Sequence, residues 1–333
     1  GANSSEPDVV NMEKAKIDLA ARLGIDTITD LSMVRLEQPL WQYVREYHPH
    51  IGVGINPPYL PYVENGTKIP PGKLFREIEW FVTNGGDHMT MNFIPRTRDE
   101  LECYANGRKI PITSRQGGLL AVYMRKHGVN INPYYEIMNE MLVLLMEYNV
   151  TINIGSTFRP AGIAEANDRA HNWETERQLE ILKLLDEAGV QSLMEAMSHQ
   201  PFHQIGSGIT GLRQKYGGYV PFQFLGPVVT DIAGEHDYIT AAIGAAESAR
   251  YNVGKVTTIP SREHIGFSKL EDAERGIIAT KIAVHAGDMA RIHELMQADA
   301  NVLDKRSEYM SCDPLLGQAG CDKCSHYCPL ILA

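Results

Sequence analysis

A TIM-type (β/α)8 barrel is the fold this sequence predicts, and three observations predict it. Short β-branched runs alternate with amphipathic helical stretches, the pattern of parallel βα units. Eight such runs can be counted, and eight βα units close on themselves. Polar residues follow several of the runs, at the carboxyl ends where a barrel places its chemistry. The competing arrangement, an open doubly wound sheet, would carry a glycine-rich dinucleotide fingerprint after its first strand, and none is present.

Met12, Ala15, Leu19 and Leu23 share one helical face, Gly24 stops that helix, and residues 26–31 read as the first strand. The following strand candidates are 50–55, 88–93, 110–113, 150–154, 190–194, 222–229 and 253–259. Asn132 is placed to cap a helix running from Pro133 to about Tyr148. Gly189 closes one that carries Leu179, Leu182 and Leu185. After a helix ending near Met296 the periodicity fades, and Pro314, Gly317 and Gly320 punctuate the chain. The expected organisation is therefore a catalytic barrel over 1–297 and a flexible arm over 298–333.

With 333 residues, 44% hydrophobic and 22% charged, the chain has ample material for a large core. A net charge of −10 and a pI near 5.7 argue against nucleic acid as a partner, since that affinity rests on clustered Lys and Arg. No apolar run is long enough to span a bilayer, and residues 1–5 do not form a signal peptide, so a cytoplasmic, membrane-free protein is expected. The chain begins without Met, and native residues are expected to precede Gly1.

Candidate site residues follow the runs. Ser114-Arg115-Gln116-Gly117-Gly118 sets a guanidinium beside two glycines whose amides can cradle a phosphate at a helix start. Gly155-Ser156-Thr157-Phe158-Arg159-Pro160 offers a second cation, and the sixth run leads into Glu195 and His199. Each alone also reads as a surface ion pair or a turn; the shared position at strand ends raises the set above that. His199 and His285 form no short-spaced metal motif, and Pro201 weakens a pairing of His199 with His203.

Cys321, Cys324 and Cys328 place three of five cysteines within eight residues, followed by Pro329. So tight a group of thiols reads as a metal site rather than a disulfide framework. Three readings stay open: an open [4Fe-4S] cluster with one iron free of protein ligands, a zinc knot completed by His326 or Cys312, and a closed electron-transfer cluster using Cys312. Cys103 stands alone and reads as a structural or idle thiol.

These segments, together with Ala-Asn-Asp at 166–168, Leu-Gly-Pro through Thr-Asp-Ile-Ala at 225–233, Ile-Gly-Ala-Ala at 243–246, Glu-His-Ile-Gly at 263–266 and Ala-Val-His-Ala-Gly-Asp at 283–288, resemble in order the phosphomethylpyrimidine synthases and their anaerobic paralogues, the 5-hydroxybenzimidazole synthases. The resemblance covers nearly the whole chain. It implies a homodimeric barrel in which the arm of one subunit closes the site of the other, an open [4Fe-4S] cluster on Cys321, Cys324 and Cys328, S-adenosylmethionine (SAM), and a reducing electron donor. It implies 5-aminoimidazole ribotide as substrate, contacted by Ser114, Arg115, Gly117, Arg159, Glu195 and Tyr59. It further implies a divalent metal, zinc or iron, on His199 and His285.

The departures fall at positions expected to face the substrate. Asn92 stands where the pyrimidine enzymes have histidine, Ser156 where they have aspartate, Gln223 where they have tyrosine, and Thr29 where they have methionine. Three residues rather than four separate Cys324 from Cys328, and the chain is shorter than those enzymes. Changed pocket residues on a retained frame favour the benzimidazole branch, with Asn92, Ser156 and Gln223 as further substrate-facing residues.

Overall fold

Seven of the eight expected strands form, and they lie side by side in chain order. The computed structural model describes residues 1–312, 323–324 and 327–332. The strands are β1 (Thr27–Asp30), β2 (Gly52–Ile55), β3 (His88–Met91), β4 (Thr151–Ile154), β5 (Ser192–Ala196), β6 (Phe222–Leu225) and β7 (Lys255–Thr257). Every neighbouring pair is parallel, in the order β1 to β7. Among the described residues no ladder joins β7 to β1, so the closed eight-stranded barrel is corrected to a curled seven-stranded parallel sheet.

The missing strand is 110–113. That run lies between helices as irregular backbone, with Ile110 half exposed. Pro111 supplies no N–H to a ladder, and β3 and β4 pair directly with each other, leaving no edge for a strand between them.

The helices are α1 (Pro7–Arg22), α2 (Leu40–Tyr47), α3 (Tyr59–Glu64), α4 (Pro71–Thr83), α5 (Arg98–Ala105), α6 (Arg115–Lys126), α7 (Met138–Tyr148), α8 (Arg169–Glu187), α9 (Phe202–Tyr216), α10 (Asp237–Arg250), α11 (Leu270–Asp288), α12 (Met296–Tyr309) and α13 (Pro329–Leu332). Gly24 and Gly189 end α1 and α8 with φ of 71° and 75°, the left-handed stop expected of them. Asn132 does cap, accepting from the Tyr134 amide at 3.2 Å, but the helix it starts is a single 3-10 turn, Pro133–Tyr135, and α7 begins anew at Met138. Residues 298–309, expected as irregular arm, belong to α12, none of whose residues is buried.

Side-chain alternation along the strands sorts the residues into two faces. Val53, Ile55, Met89, Met91, Ile152, Ile154, Met194, Phe222 and Phe224 are buried in the main apolar core. The intervening positions, Thr29, His88, Thr90, Asn153, Glu195, Gln223 and Lys255, form a polar lumen where barrels more commonly stack branched apolar side chains. The curl itself is visible in one contact. Lys255 of β7 lies 3.2 Å from His88 of β3, whereas four strand spacings in a flat sheet would separate those strands by roughly 19 Å.

Around the outside, α11 connects the end of the sheet to its beginning. Lys281 Nζ donates to the carbonyls of Leu23 and Gly24 at 2.7 and 2.9 Å, tying α11 to the end of α1. On its other side α11 lies against α10 so closely that a Cβ at Gly287 would strike the Ala246 carbonyl oxygen. Gly287→Ala should therefore lower stability by about 1–3 kcal/mol through forced separation of the two helices, measured by urea denaturation. An unchanged midpoint would mean that α11 shifts freely.

Candidate active site

The carboxyl ends of the strands open into a cavity of about 630 Å³, within the size range of small-molecule sites. Its lining includes Thr29 from β1, Asn92 beyond β3, Glu195 from β5, Gln223 from β6 and Thr257 from β7. Such a cavity can accept a ligand reached from many strands at once.

Ser114 begins one wall. It is the N-cap of α6, its hydroxyl accepting from the Gly117 amide at 3.2 Å and from Asn92 Nδ2 at 3.2 Å. Asn92 also donates to Thr157 Oγ1 at 3.0 Å, so one buried amide ties together the turns after β3 and β4 and the start of α6. The next residue, Arg115, has no carboxylate partner among the described residues and sits 5.9 Å from the Tyr59 ring. A free guanidinium at a helix N-terminus is a favourable place for an anion. Tyr59 is buried at the cavity edge, accepts from Asn56 Nδ2 at 2.9 Å, and has its phenol pushed up in pKa, chiefly by burial.

The opposite wall is acidic. Glu195 is buried, accepts from the Ser156 amide at 3.1 Å, and faces Arg159 Nη1 at 3.5 Å. The Gln223 carbonyl oxygen is buried with no hydrogen-bond partner among the described residues, and so is that of Asn56. Both oxygens are acceptors that a bound ligand can satisfy.

Tyr59, Asn92, Ser114, Arg115, Arg159, Glu195, Gln223 and His199 all line the cavity. Ser156, Gly117 and His285 do not. The Ser156 hydroxyl is turned away to Glu174 at 2.5 Å, and the Gly117 amide is already committed to Ser114. His285 lies on α11 and pairs with Asp299 of α12 at 3.0 Å, and the fold does not bring it to His199.

The imidazole that the fold brings to His199 is His264, with ring centroids 5.3 Å apart. Each ring is held at Nδ1 by a carboxylate: His199 by Asp231 at 2.7 Å, His264 by Asp237 at 2.9 Å. His264 lies 65 positions from His199, too far for spacing to link them, yet its Glu-His-Ile-Gly segment follows the last strand, where site residues gather. Among the described residues no group of three or more His, Cys, Asp or Glu is arranged to hold a metal ion. Among the described residues Cys324 and Cys328 are free thiols, the first exposed, and the Tyr327 amide donates to the Cys324 carbonyl at 3.0 Å. Cys321 and His326 lie outside the described residues.

Glu174 supports the whole wall from behind. It is fully buried on α8 and accepts from Ser156 Oγ and from the amides of Thr157 and Phe158, at 2.6 and 2.7 Å for the amides. Burial pushes its carboxyl up to about 7, against the pull of those three bonds. The turn it grips delivers Arg159 and the amide that meets Glu195.

A polar cavity at the carboxyl ends of a curled parallel sheet, lined by paired charges and imidazoles, is the layout of an α/β enzyme. The profile of the radical SAM ThiC family matches residues 1–313, and the chain belongs to that family. Its relatives include the phosphomethylpyrimidine synthase of Carboxydothermus hydrogenoformans, 34% identical over 287 residues, covering 84% of this chain and 66% of the relative. Another is the phosphomethylpyrimidine synthase of Halobacterium salinarum, 33% identical over 296 residues, covering 86% of this chain and 60% of the relative. The chain thus spans somewhat under two thirds of the length of these relatives. No helix among the described residues is long and apolar enough to cross a membrane.

Glu174→Ala should cost about 2–4 kcal/mol, because it leaves three buried donors without an acceptor. A carboxyl whose pKa is raised by folding stabilises the protein below its unfolded value of 4.5 and loses that contribution as pH rises through about 7. Urea titrations at pH 5 and pH 8 should therefore show a smaller difference between the two pH values in Glu174→Gln than in the wild type.

Proposed function

We propose that this chain is a radical SAM enzyme that rearranges 5-aminoimidazole ribotide in the manner of the phosphomethylpyrimidine synthases it resembles. The observation that carries the reading is the cavity wall where Arg115, free of any described carboxylate, meets the start of α6 beside Tyr59. The phosphate of a ribotide is dianionic and fits that end, while Arg159, Glu195 and the unpartnered Gln223 oxygen suit a polar heterocycle and ribose.

The family carries a [4Fe-4S] cluster and SAM, which when bound supply a 5′-deoxyadenosyl radical able to take a hydrogen atom from a sugar. Cys324 and Cys328 are thiols of the soft-donor kind such a cluster needs, and with Cys321 they would hold it. The chain's own residues bind and orient: Ser114 fixes the start of α6, Arg115 takes the phosphate, and Glu195 with Arg159 positions the ribose. His199 and His264 would hold a divalent metal, zinc or iron, since a carboxylate on Nδ1 orients each ring for coordination through Nε2. A reducing electron donor and a dimer with exchanged arms complete the proposal.

A second reading, 5-hydroxybenzimidazole synthase, draws on Asn92 and Gln223. Both line the cavity, and both put an amide where the pyrimidine enzymes are expected to carry a ring, histidine or tyrosine. Anaerobic turnover of the reconstituted chain with SAM, a low-potential reductant and the ribotide separates the two by mass spectrometry. A pyrimidine phosphate supports the first reading and a hydroxybenzimidazole the second; ribotide left intact with SAM uncleaved would overturn both. Cys324→Ala should abolish 5′-deoxyadenosine formation without unfolding the chain. Metal analysis should find that His264→Ala loses the divalent metal while His285→Ala retains it, and the reverse result would reinstate His285.

A further inference from the structure

The lumen next to the cavity holds a second titratable cluster, for which the function proposed above has no task. Lys255 at the start of β7 places Nζ 3.2 Å from His88 Nε2, and Thr29 Oγ1 lies 3.1 Å from the same ring nitrogen. An ammonium can only donate, so Nε2 is the acceptor and the ring is neutral with its proton on Nδ1. Burial first, and then the Lys255 charge, hold His88 down at about 3, so it stays neutral across the working range. His88 fits there because β2 presents Gly54, where a Cβ would strike the ring.

A buried ammonium needs a countercharge, and neutral His88 offers none. The titratable groups that face Lys255 are His88 from β3 and Glu195 from β5. From β1, β4 and β6 the lumen receives the neutral Thr29, Asn153 and Gln223. Glu195 stands opposite Gln223, and Gln223 opposite Lys255, so the acid and the amine share one row of the lumen two strands apart. Burial lowers the Lys255 amine to about 8, and the Glu195 carboxylate opposes that fall.

We propose that Lys255 is a positioning residue for the reaction: its ammonium, aimed by His88, holds the Glu195 carboxylate fixed in the cavity wall. This rests on the reading that Glu195 faces the substrate. Glu195 then lies between two cations, Arg159 from the cavity and Lys255 from the lumen. Below about pH 8 Lys255 is charged and the arrangement is complete; as pH rises through that value the charge is lost and Glu195 keeps Arg159 alone.

Two measurements test the proposal. In the first, the full chain carrying lysine labelled with carbon-13 at Cε is titrated by NMR without substrate. One resonance, absent from Lys255→Met, should titrate near pH 8, and in Glu195→Gln it should titrate lower still. An ordinary lysine titration, or one indifferent to Glu195→Gln, overturns the coupling. In the second, the pH profile of kcat for 5′-deoxyadenosine formation should show an alkaline limb near pH 8 in the wild type. Lys255→Met, which replaces the aliphatic stem at similar volume, should lack that limb and run about tenfold slower at neutral pH. A variant that keeps the wild-type limb overturns the role. Should Lys255→Met fail to fold, the wild-type and Glu195→Gln titrations still decide the coupling. Should the chain turn over no ribotide, the same titrations stand, and it is the proposed function that falls.

Discussion

Successive side chains of a strand point to opposite faces, and the site depends on how seven short strands divide that alternation. One face must be apolar, because α-helices cover it; Met89, Met91, Ile152, Ile154, Phe222 and Phe224 occupy it and leave no polar group to satisfy. The other face is free to be polar only because the sheet curls until its members reach one another. Lys255 meeting His88 across the lumen is the direct sign of that curl. In a flat sheet Lys255 and His88 would lie too far apart to meet.

Polar groups inside a protein must be partnered, and here the partners are shared between neighbouring turns. Asn92 joins Ser114 to Thr157, and Glu174 gathers Ser156, Thr157 and Phe158. The turn after β4 is thus held from both sides, and the Arg159 and Glu195 pair sits where that turn places it. The groups left over are the informative ones. Arg115, without a carboxylate among the described residues, and the unbonded oxygens of Gln223 and Asn56 face the cavity, where a ligand supplies what the described residues do not.

Much of this was legible in the residues. The alternation of strand and helix, the stops at Gly24 and Gly189, and the gathering of Ser114, Arg115, Arg159 and Glu195 beyond the strands follow from local pattern and from where parallel strands end. The strand expected at 110–113 was not legible as a loop, because its composition is that of a strand and only the direct pairing of β3 with β4 removes its place. Ser156 likewise stands in a site segment by sequence, yet its hydroxyl turns to a carboxylate 18 positions away.

The α/β class with parallel strands, the membership carried by ordered motifs, and the set of polar residues at strand ends were readable from the residues alone, because each depends on chemistry within a few neighbouring positions; the closed eight-stranded barrel was not. Only the tertiary structure decided which of those residues meet. His199 finds His264 rather than His285, and Lys255 finds His88, since such encounters depend on the curl and register of the sheet. Register is a property of paired strands, and no single segment contains it.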